Sequence, residues 1–114
     1  MSQYNQGEIV IIEYPFSDGT GAKLRPVVVL SNTKANTEEQ DLVFAKITTN
    51  QRSDDYSLAL SDSDTLRPLP RNSEIRANKI YTLDKSLIQR KVTTLSNTAL
   101  QKLIDLVHTV IKTS

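Results

Sequence analysis

The chain predicts a mainly β domain, a small and strongly bent sheet or barrel, closed by one C-terminal helix. Short apolar runs rich in β-branched residues recur along its first 95 positions, separated by clusters of Gly, Pro, Asn, Asp and Ser. A single apolar stripe at helical spacing is confined to the C-terminal end. The length of 114 residues suits one domain with one core, so residues 1–114 are read as a single unit.

Ile9-Val10-Ile11-Ile12-Glu13-Tyr14 reads as the first strand and ends at Pro15 and a Ser17-Asp18-Gly19 turn cluster. The loop Pro15–Leu24 holds Gly19 and Gly21, which permit unusual dihedrals there. Arg25–Ser31 is the second strand, with Pro26 among its first residues, where a ladder donor is dispensable. Asn32–Gln40 is a polar connection, Leu42–Thr48 the third strand, and Asn50–Asp55 a turn. Tyr56–Leu60 alternates as a half-buried fourth strand. Ser61–Arg71 is loop, because Pro68 and Pro70 block regular pairing.

Glu74–Tyr81 is expected as a fifth strand with Ile75, Ala77 and Ile80 inward, Thr82–Gln89 as a short helical turn with Asp84 near its start, and Arg90–Leu95 as the last strand. Leu100, Leu103, Ile104, Val107, Val110 and Ile111 then fall on one face of a helix that either Ser96 or Thr98 can cap.

Composition narrows the function classes. With 38% hydrophobic and 24% charged residues, the chain reads as an ordinary soluble globular protein. No apolar run approaches the roughly 20 residues of a membrane span. Met1–Gln6 lacks the basic start and apolar stretch of a signal peptide, so cytoplasmic residence without membrane contact is the default expectation. Zero cysteines exclude disulfides and thiolate metal sites, and one histidine argues against a zinc centre. Neither metal nor cofactor is expected. The net charge of +1 is unevenly spread: residues 1–66 hold 5 basic and 10 acidic side chains, residues 67–114 hold 9 and 3. That asymmetry suits an anionic ligand on one face and a cationic partner elsewhere, and equally a solvated surface whose charges remix on folding.

Two features carry chemistry. Arg25-Pro26 sets a permanently charged guanidinium at the mouth of the apolar run Val27-Val28-Val29-Leu30, and Ile47-Thr48-Thr49 ends another apolar run in a hydroxyl pair. An arginine and a threonine on rigid strands suit a reaction that needs no metal, and cleavage of RNA by its own 2′-hydroxyl is one. Taken singly, each residue has a plainer explanation. Such an arginine is usually a surface ion-pair partner, and a strand threonine a propensity choice.

Ser17-Asp18-Gly19-Thr20-Gly21 lacks the Gly-Lys-Ser/Thr ending of a nucleotide-binding loop. His108 reads as a packed or half-exposed helix residue rather than a base. Lys23, Arg25, Lys46, Arg76 and Lys79 supply cations for a phosphate chain, with Phe16 and Tyr81 as platforms for bases.

These residues also fall into blocks with a known pattern. Gly7-Glu8-Ile9-Val10, then Tyr14-Pro15-Phe16-Ser17-Asp18-Gly19, Leu24-Arg25-Pro26-Val27-Val28-Val29-Leu30-Ser31, Ala45-Lys46-Ile47-Thr48, and Lys79-Ile80-Tyr81-Thr82-Leu83-Asp84-Lys85 with Leu95-Ser96, resemble the MazF/PemK family of toxin endoribonucleases, most closely its PemK-like subgroup. The resemblance runs from about Gly7 to the terminal helix.

It implies an SH3-like β-barrel of the CcdB/PemK type with a C-terminal helix, assembled as a homodimer. It also implies metal-independent, sequence-selective cleavage of single-stranded RNA to cyclic phosphate and 5′-hydroxyl ends. A cognate antitoxin would restrain that activity, and operator DNA would be bound only through the antitoxin. Arg25 and Thr48 fall on the family's catalytic arginine and threonine, and Ser17–Lys23 on the loop over the RNA groove. The resulting RNA-binding set is Phe16, Ser17, Asp18, Lys23, Lys46, Thr49, Arg76 and Lys79. The proton acceptor stays open between Asp18 and Glu13. Two other readings compete: a non-catalytic gyrase-binding toxin like CcdB, which uses a related barrel, and a plain SH3-like adaptor. The adaptor is weakened by the absence of tryptophan.

Overall fold

The computed structural model describes residues 3–15 and 19–113. Among them, the strands β1 (Glu8–Pro15), β2 (Ala22–Val29), β3 (Asp41–Thr48), β4 (Ser57–Leu60), β5 (Ser73–Asp84) and β6 (Ile88–Thr94) form one antiparallel sheet in the order β4-β5-β3-β2-β1-β6. Two helices join them, α1 (Thr33–Glu38) between β2 and β3, and α2 (Asn97–Ile111) at the end. The mainly β architecture with a closing helix is as expected.

The sheet curls because its outermost strands are tied together. Thr65, beyond β4, bridges Leu95, beyond β6. The Leu66 N–H donates to the Thr94 carbonyl at 3.0 Å, and the Ser96 N–H to the Asp64 carbonyl at 2.7 Å. These bonds satisfy backbone groups that an open edge would leave exposed. Gly7 enters β1 at φ 91°, a left-handed conformation that favours glycine, and a Cβ there would press on Cδ2 of Leu100 at 3.3 Å.

Each face of the sheet has its own core. Alternation sends Ile9, Val28, Ala45, Ile47, Ile75 and Ala77 to one side, where α2 covers them with Ala99, Leu103 and Val107. Leu103 is fully buried, a contribution of about 2 kcal/mol relative to an exposed side chain. The Ser96 hydroxyl caps α2 by accepting from the Ala99 N–H at 3.1 Å, which decides between the two expected caps. Ile111, expected on the buried stripe, is exposed at the last turn. The other face buries Val10, Ile12, Val27, Val29, Leu42 and Phe44 beneath Tyr4, Tyr14, Leu83 and Ile88.

Three sequence expectations need correction. The second strand starts at Ala22, not Arg25, so Pro26 lies inside it. Proline is tolerated there because β3 pairs with β2 only from Val27 onward, leaving one side of Pro26 without a neighbour. The polar connection holds helix α1, whose N-cap is Asn32 accepting from the Ala35 N–H at 2.8 Å. Its buried Asn36 donates to the Tyr4 and Ser31 carbonyls, so polar sequence here encodes a packed turn of helix. The fifth strand runs on through Thr82–Asp84, and only Lys85–Leu87 forms the turn, a 3₁₀ turn capped by Asp84.

An ion-pair network centred on buried Arg76 and Glu74 fastens the loop before β4 to β5. Arg76 of β5, only 5% exposed, pairs with Asp54 at 2.8 Å and with Glu74 at 3.2 Å. Glu74 is fully buried and accepts from the Arg52 and Ser53 N–H groups and the Ser57 hydroxyl. Burial pushes the Glu74 carboxyl up, but those hydrogen bonds and the Arg76 guanidinium outweigh it and hold the group below the usual glutamate value. Hydrogen bonding to Arg76 holds Asp54 well below the ordinary aspartate value of 3.8.

A depressed carboxylate stabilises the fold above its unfolded pKa and loses that contribution as pH falls through the lower folded value. The difference in melting temperature between wild type and Asp54→Asn is therefore expected to stay constant from neutral pH down to about 3.8 and to close only below it. A difference that vanishes already in mildly acidic buffer would show that the Asp54–Arg76 pair does not hold.

Candidate active site

Strand alternation collects the cations. Lys23, Arg25 and Val27 point to one face of β2, the face that Ile12 and Tyr14 share on β1, through the pairings Tyr14↔Lys23 and Ile12↔Arg25. Val27 pairs with Lys46 of β3, and Phe44 with Tyr81 of β5, so Lys46 and Tyr81 join the same face. Pairing between β2 and β3 stops at the Val27–Lys46 rung. Past that rung a small cavity of about 110 Å³ opens, lined by Tyr14, Arg25, Pro26, Val27, Lys46 and Tyr81.

Tyr14 and Tyr81 form its aromatic wall, with ring centroids 4.9 Å apart and planes at 71°. Thr48 lies two residues beyond Lys46 on the same face of β3. The β2–β3 register, continued past its last rung, sets Thr48 level with Arg25. Its Oγ1 accepts from the Asn50 N–H at 3.0 Å, which occupies one lone pair and leaves the hydroxyl proton available to an anion.

Positive charge gathers at this cavity. Lys46 is pushed below its ordinary value of 10.5 first by burial, then by the charges of Arg25, Lys79, Arg52 and Arg76. Tyr81 is pushed up by burial and by its hydrogen bond to Tyr14, against the opposing charge of Arg25. Among the described residues, no three His, Cys, Asp or Glu side chains come together to hold a metal ion.

The expected residues divide into several groups. Arg25, Lys46 and Thr48 share one face, with the exposed Lys23 two residues before Arg25. Lys79 lies exposed in the bulge of β5 opposite Ala45 and Lys46 and adds its charge to theirs. Arg76 is not open to a ligand, since its guanidinium is buried against Asp54 and Glu74. Thr49 alternates to the opposite face and lines a separate apolar groove with Ile9, Ile11 and Ile47. Glu13 pairs with Leu24, turns the same way as Thr49, and stands away from Arg25. Phe16, Ser17 and Asp18 lie outside the described residues.

Sequence reasoning missed Tyr14 and Arg52 as members of the site. The i, i+2 series Val10, Ile12, Tyr14 could have found the first. No local pattern marks the second, whose charge reaches Lys46 only through the fold of its loop. If Arg25 and Lys46 repel each other across the cavity, Arg25→Gln raises the Lys46 pKa toward 10.5. NMR titration of labelled lysine side chains reads this directly, and an unmoved Lys46 would separate the two cations.

Comparison with known proteins bears on the whole chain. Residues 5–111 match the family model described as PemK-like, MazF-like toxin of type II toxin–antitoxin systems. Among proteins of curated function, none matches the sequence. Solved structures share the fold at low identity. An endoribonuclease in complex with its cognate antitoxin, from a mycobacterial species, is 22% identical with a TM-score of 0.79, and 97% of each chain is covered.

The MazE–MazF complex of Deinococcus radiodurans (Form III) is 16% identical with a TM-score of 0.81, covering 99% of this chain and 100% of that one. The Mycobacterium tuberculosis toxin MazF-mt6 is 16% identical with a TM-score of 0.73, covering 92% and 98%. The six-stranded antiparallel sheet with its C-terminal helix is the MazF/PemK toxin fold. With the family match spanning nearly its full length, the chain belongs to the PemK-like, MazF-like toxins of type II toxin–antitoxin systems.

Proposed function

We propose that this toxin is an endoribonuclease that cuts single-stranded RNA by transesterification and so inhibits growth. The observation that carries the proposal is the cavity beyond the last β2–β3 rung, where Arg25 and Lys46 meet beside the Tyr14–Tyr81 pair with Thr48 on the same face. RNA brings its own nucleophile, the 2′-hydroxyl. Its oxygen gives its proton to solvent and bonds to the adjacent phosphorus, the bond from phosphorus to the 5′-oxygen breaks, that oxygen takes a proton from solvent, and a 2′,3′-cyclic phosphate and a 5′-hydroxyl result.

Negative charge grows on the non-bridging oxygens as that bond forms. A guanidinium suits those oxygens because its planar fork donates two parallel hydrogen bonds. Arg25 takes that part, Lys46 adds a point charge, and Thr48 donates its hydroxyl to one of the same two non-bridging oxygens. Tyr14 and Tyr81 offer ring surface to a base next to the scissile bond. The small cavity and an aromatic content of 5% favour recognition of a few nucleotides.

The solved neighbours described as endoribonucleases support the activity, and those solved with MazE or another cognate antitoxin support restraint by an antitoxin. An acidic antitoxin segment laid over Lys23, Arg25, Lys46 and Lys79 would displace RNA by charge mimicry, and operator DNA would be reached through the antitoxin. We place the toxin in the cytoplasm as a homodimer. Its described helices are none of them long and apolar enough to cross a membrane.

Incubating the purified protein with a long RNA and a chelator, then mapping the ends, tests the chemistry. Cuts at a defined motif with 5′-hydroxyl downstream ends are expected, and ends carrying a 5′-phosphate would overturn it. Losing one preorganised donor to a developing anion typically slows a reaction by about 10²–10³-fold. Arg25→Ala should therefore cut at least about a hundredfold more slowly while its melting temperature holds. Cleavage by wild type at subsaturating RNA should also fall steeply as salt rises from roughly 50 to roughly 200 mM, because phosphate binding releases counterions. A rate indifferent to salt would argue against the cationic strip as the RNA contact.

A further inference from the structure

We infer that Glu74, a fully buried carboxylate outside the cavity, is a positioning residue that holds the corner following β3 and through it aims the Thr48 hydroxyl. The inference rests on the ribonuclease reading above.

Glu74 is the cross-strand partner of Thr48, so the two side chains share a face of the sheet. Beyond Thr48 the chain turns, and two anchors hold the turn. At its near end the Thr48 Oγ1 accepts from the Asn50 N–H at 3.0 Å. At its far end Oε1 of Glu74 accepts from the Arg52 N–H at 3.1 Å and from the Ser53 N–H at 3.2 Å. Ser53 sits at φ 52°, a left-handed conformation that a non-glycine residue holds only when its surroundings impose it. The bond from its N–H to Glu74 is such an imposition. Oε2 of Glu74 is held in turn by the Ser57 hydroxyl at 2.8 Å and the Arg76 guanidinium at 3.2 Å.

A carboxylate between two peptide N–H groups and a guanidinium forms a rigid template. Oxygen acceptors are fully used, and no donor in the set lacks a partner. The segment it shapes begins at the hydroxyl assigned to the phosphate and carries Arg52, whose charge acts on Lys46. If the far anchor is removed, the turn can rotate about Asn50, and the Thr48 hydroxyl loses the bond that orients it. Arg25 and Lys46 stay in place, since their strands are held by β1, β2 and β5. Turnover should therefore suffer more than RNA binding.

Glu74→Gln keeps the shape but presents an amide NH₂ to Arg76 or to the two N–H groups. Its kcat is expected to fall at least about tenfold with KM within about threefold, while amide exchange at Asn50, Arg52 and Ser53 accelerates. Glu74→Asp keeps the charge beside Arg76 but is one carbon too short to reach both N–H groups. It should show the same pattern if the glutamine variant folds poorly. Val107→Ala, chosen on α2 for a comparable loss of melting temperature, should leave kcat unchanged.

Wild-type kcat in both Glu74 variants overturns the inference. So does a kcat loss without faster exchange at those amides, or an equal loss in Val107→Ala. A wild-type protein that cuts no RNA would instead remove the ribonuclease reading and this role with it, so the two failures are told apart.

Discussion

The two central strands, β2 and β3, are buried on both faces, and that constraint decides where the protein can keep its cations. Val27, Val28 and Val29 on one strand, and Leu42, Phe44, Ala45 and Ile47 on the other, are all almost wholly removed from water. A charge among them would be desolvated without a partner, at a cost of several kcal/mol. Charge can therefore stand only where the cover runs out. Arg25 occupies the place where β2 has left β3 behind, and Lys46 stands at the last shared rung. The hydrophobic core thus sets the address of the polar site, and the strands that fill it also hold the site rigid.

Two arginines show the other side of the same constraint. Arg25 stays half-exposed in the lining of a cavity that it shares with Lys46. Arg76 sits among Asp54, Glu74 and Ser57 with its charge answered inside the protein. On sequence they look alike, each on a β strand with apolar neighbours. Their difference is in their partners. A guanidinium with neutralising carboxylates is a structural fastener, whereas Arg25 lines a cavity beside a second cation, Lys46.

Much of the fold was legible because strand sequences carry their period on the surface. The alternation of Ile9 to Tyr14, the run from Val27 to Leu30 and the block from Leu42 to Thr48 appear as strands β1, β2 and β3 within a few residues of their expected bounds. Helix α2 was legible from its apolar stripe. Helix α1 was not, because Thr33–Glu38 has no apolar period; its order comes from the Asn32 cap and from Asn36 reaching Tyr4 and Ser31. Likewise β2 starts at Ala22 rather than Arg25, because Pro26 does not need a place among the first residues of its strand where β3 offers it no neighbour to bond.

What the amino-acid order determined by itself was which residue types are present and which face of its own strand each occupies. Period-two alternation is a local property, so Arg25 and Val27 must share a side wherever β2 is placed, and Thr48 and Thr49 must part. Pairing was not local. Only the folded sheet decided that Val27 meets Lys46, that Tyr14 reaches Tyr81, and that Arg76 turns inward to Asp54 and Glu74. Two of those contacts join residues far apart in the chain, Tyr14 with Tyr81 and Arg76 with Asp54, the latter 22 positions apart. Their energies depend on burial and register, which the whole chain sets together and no short stretch of it encodes.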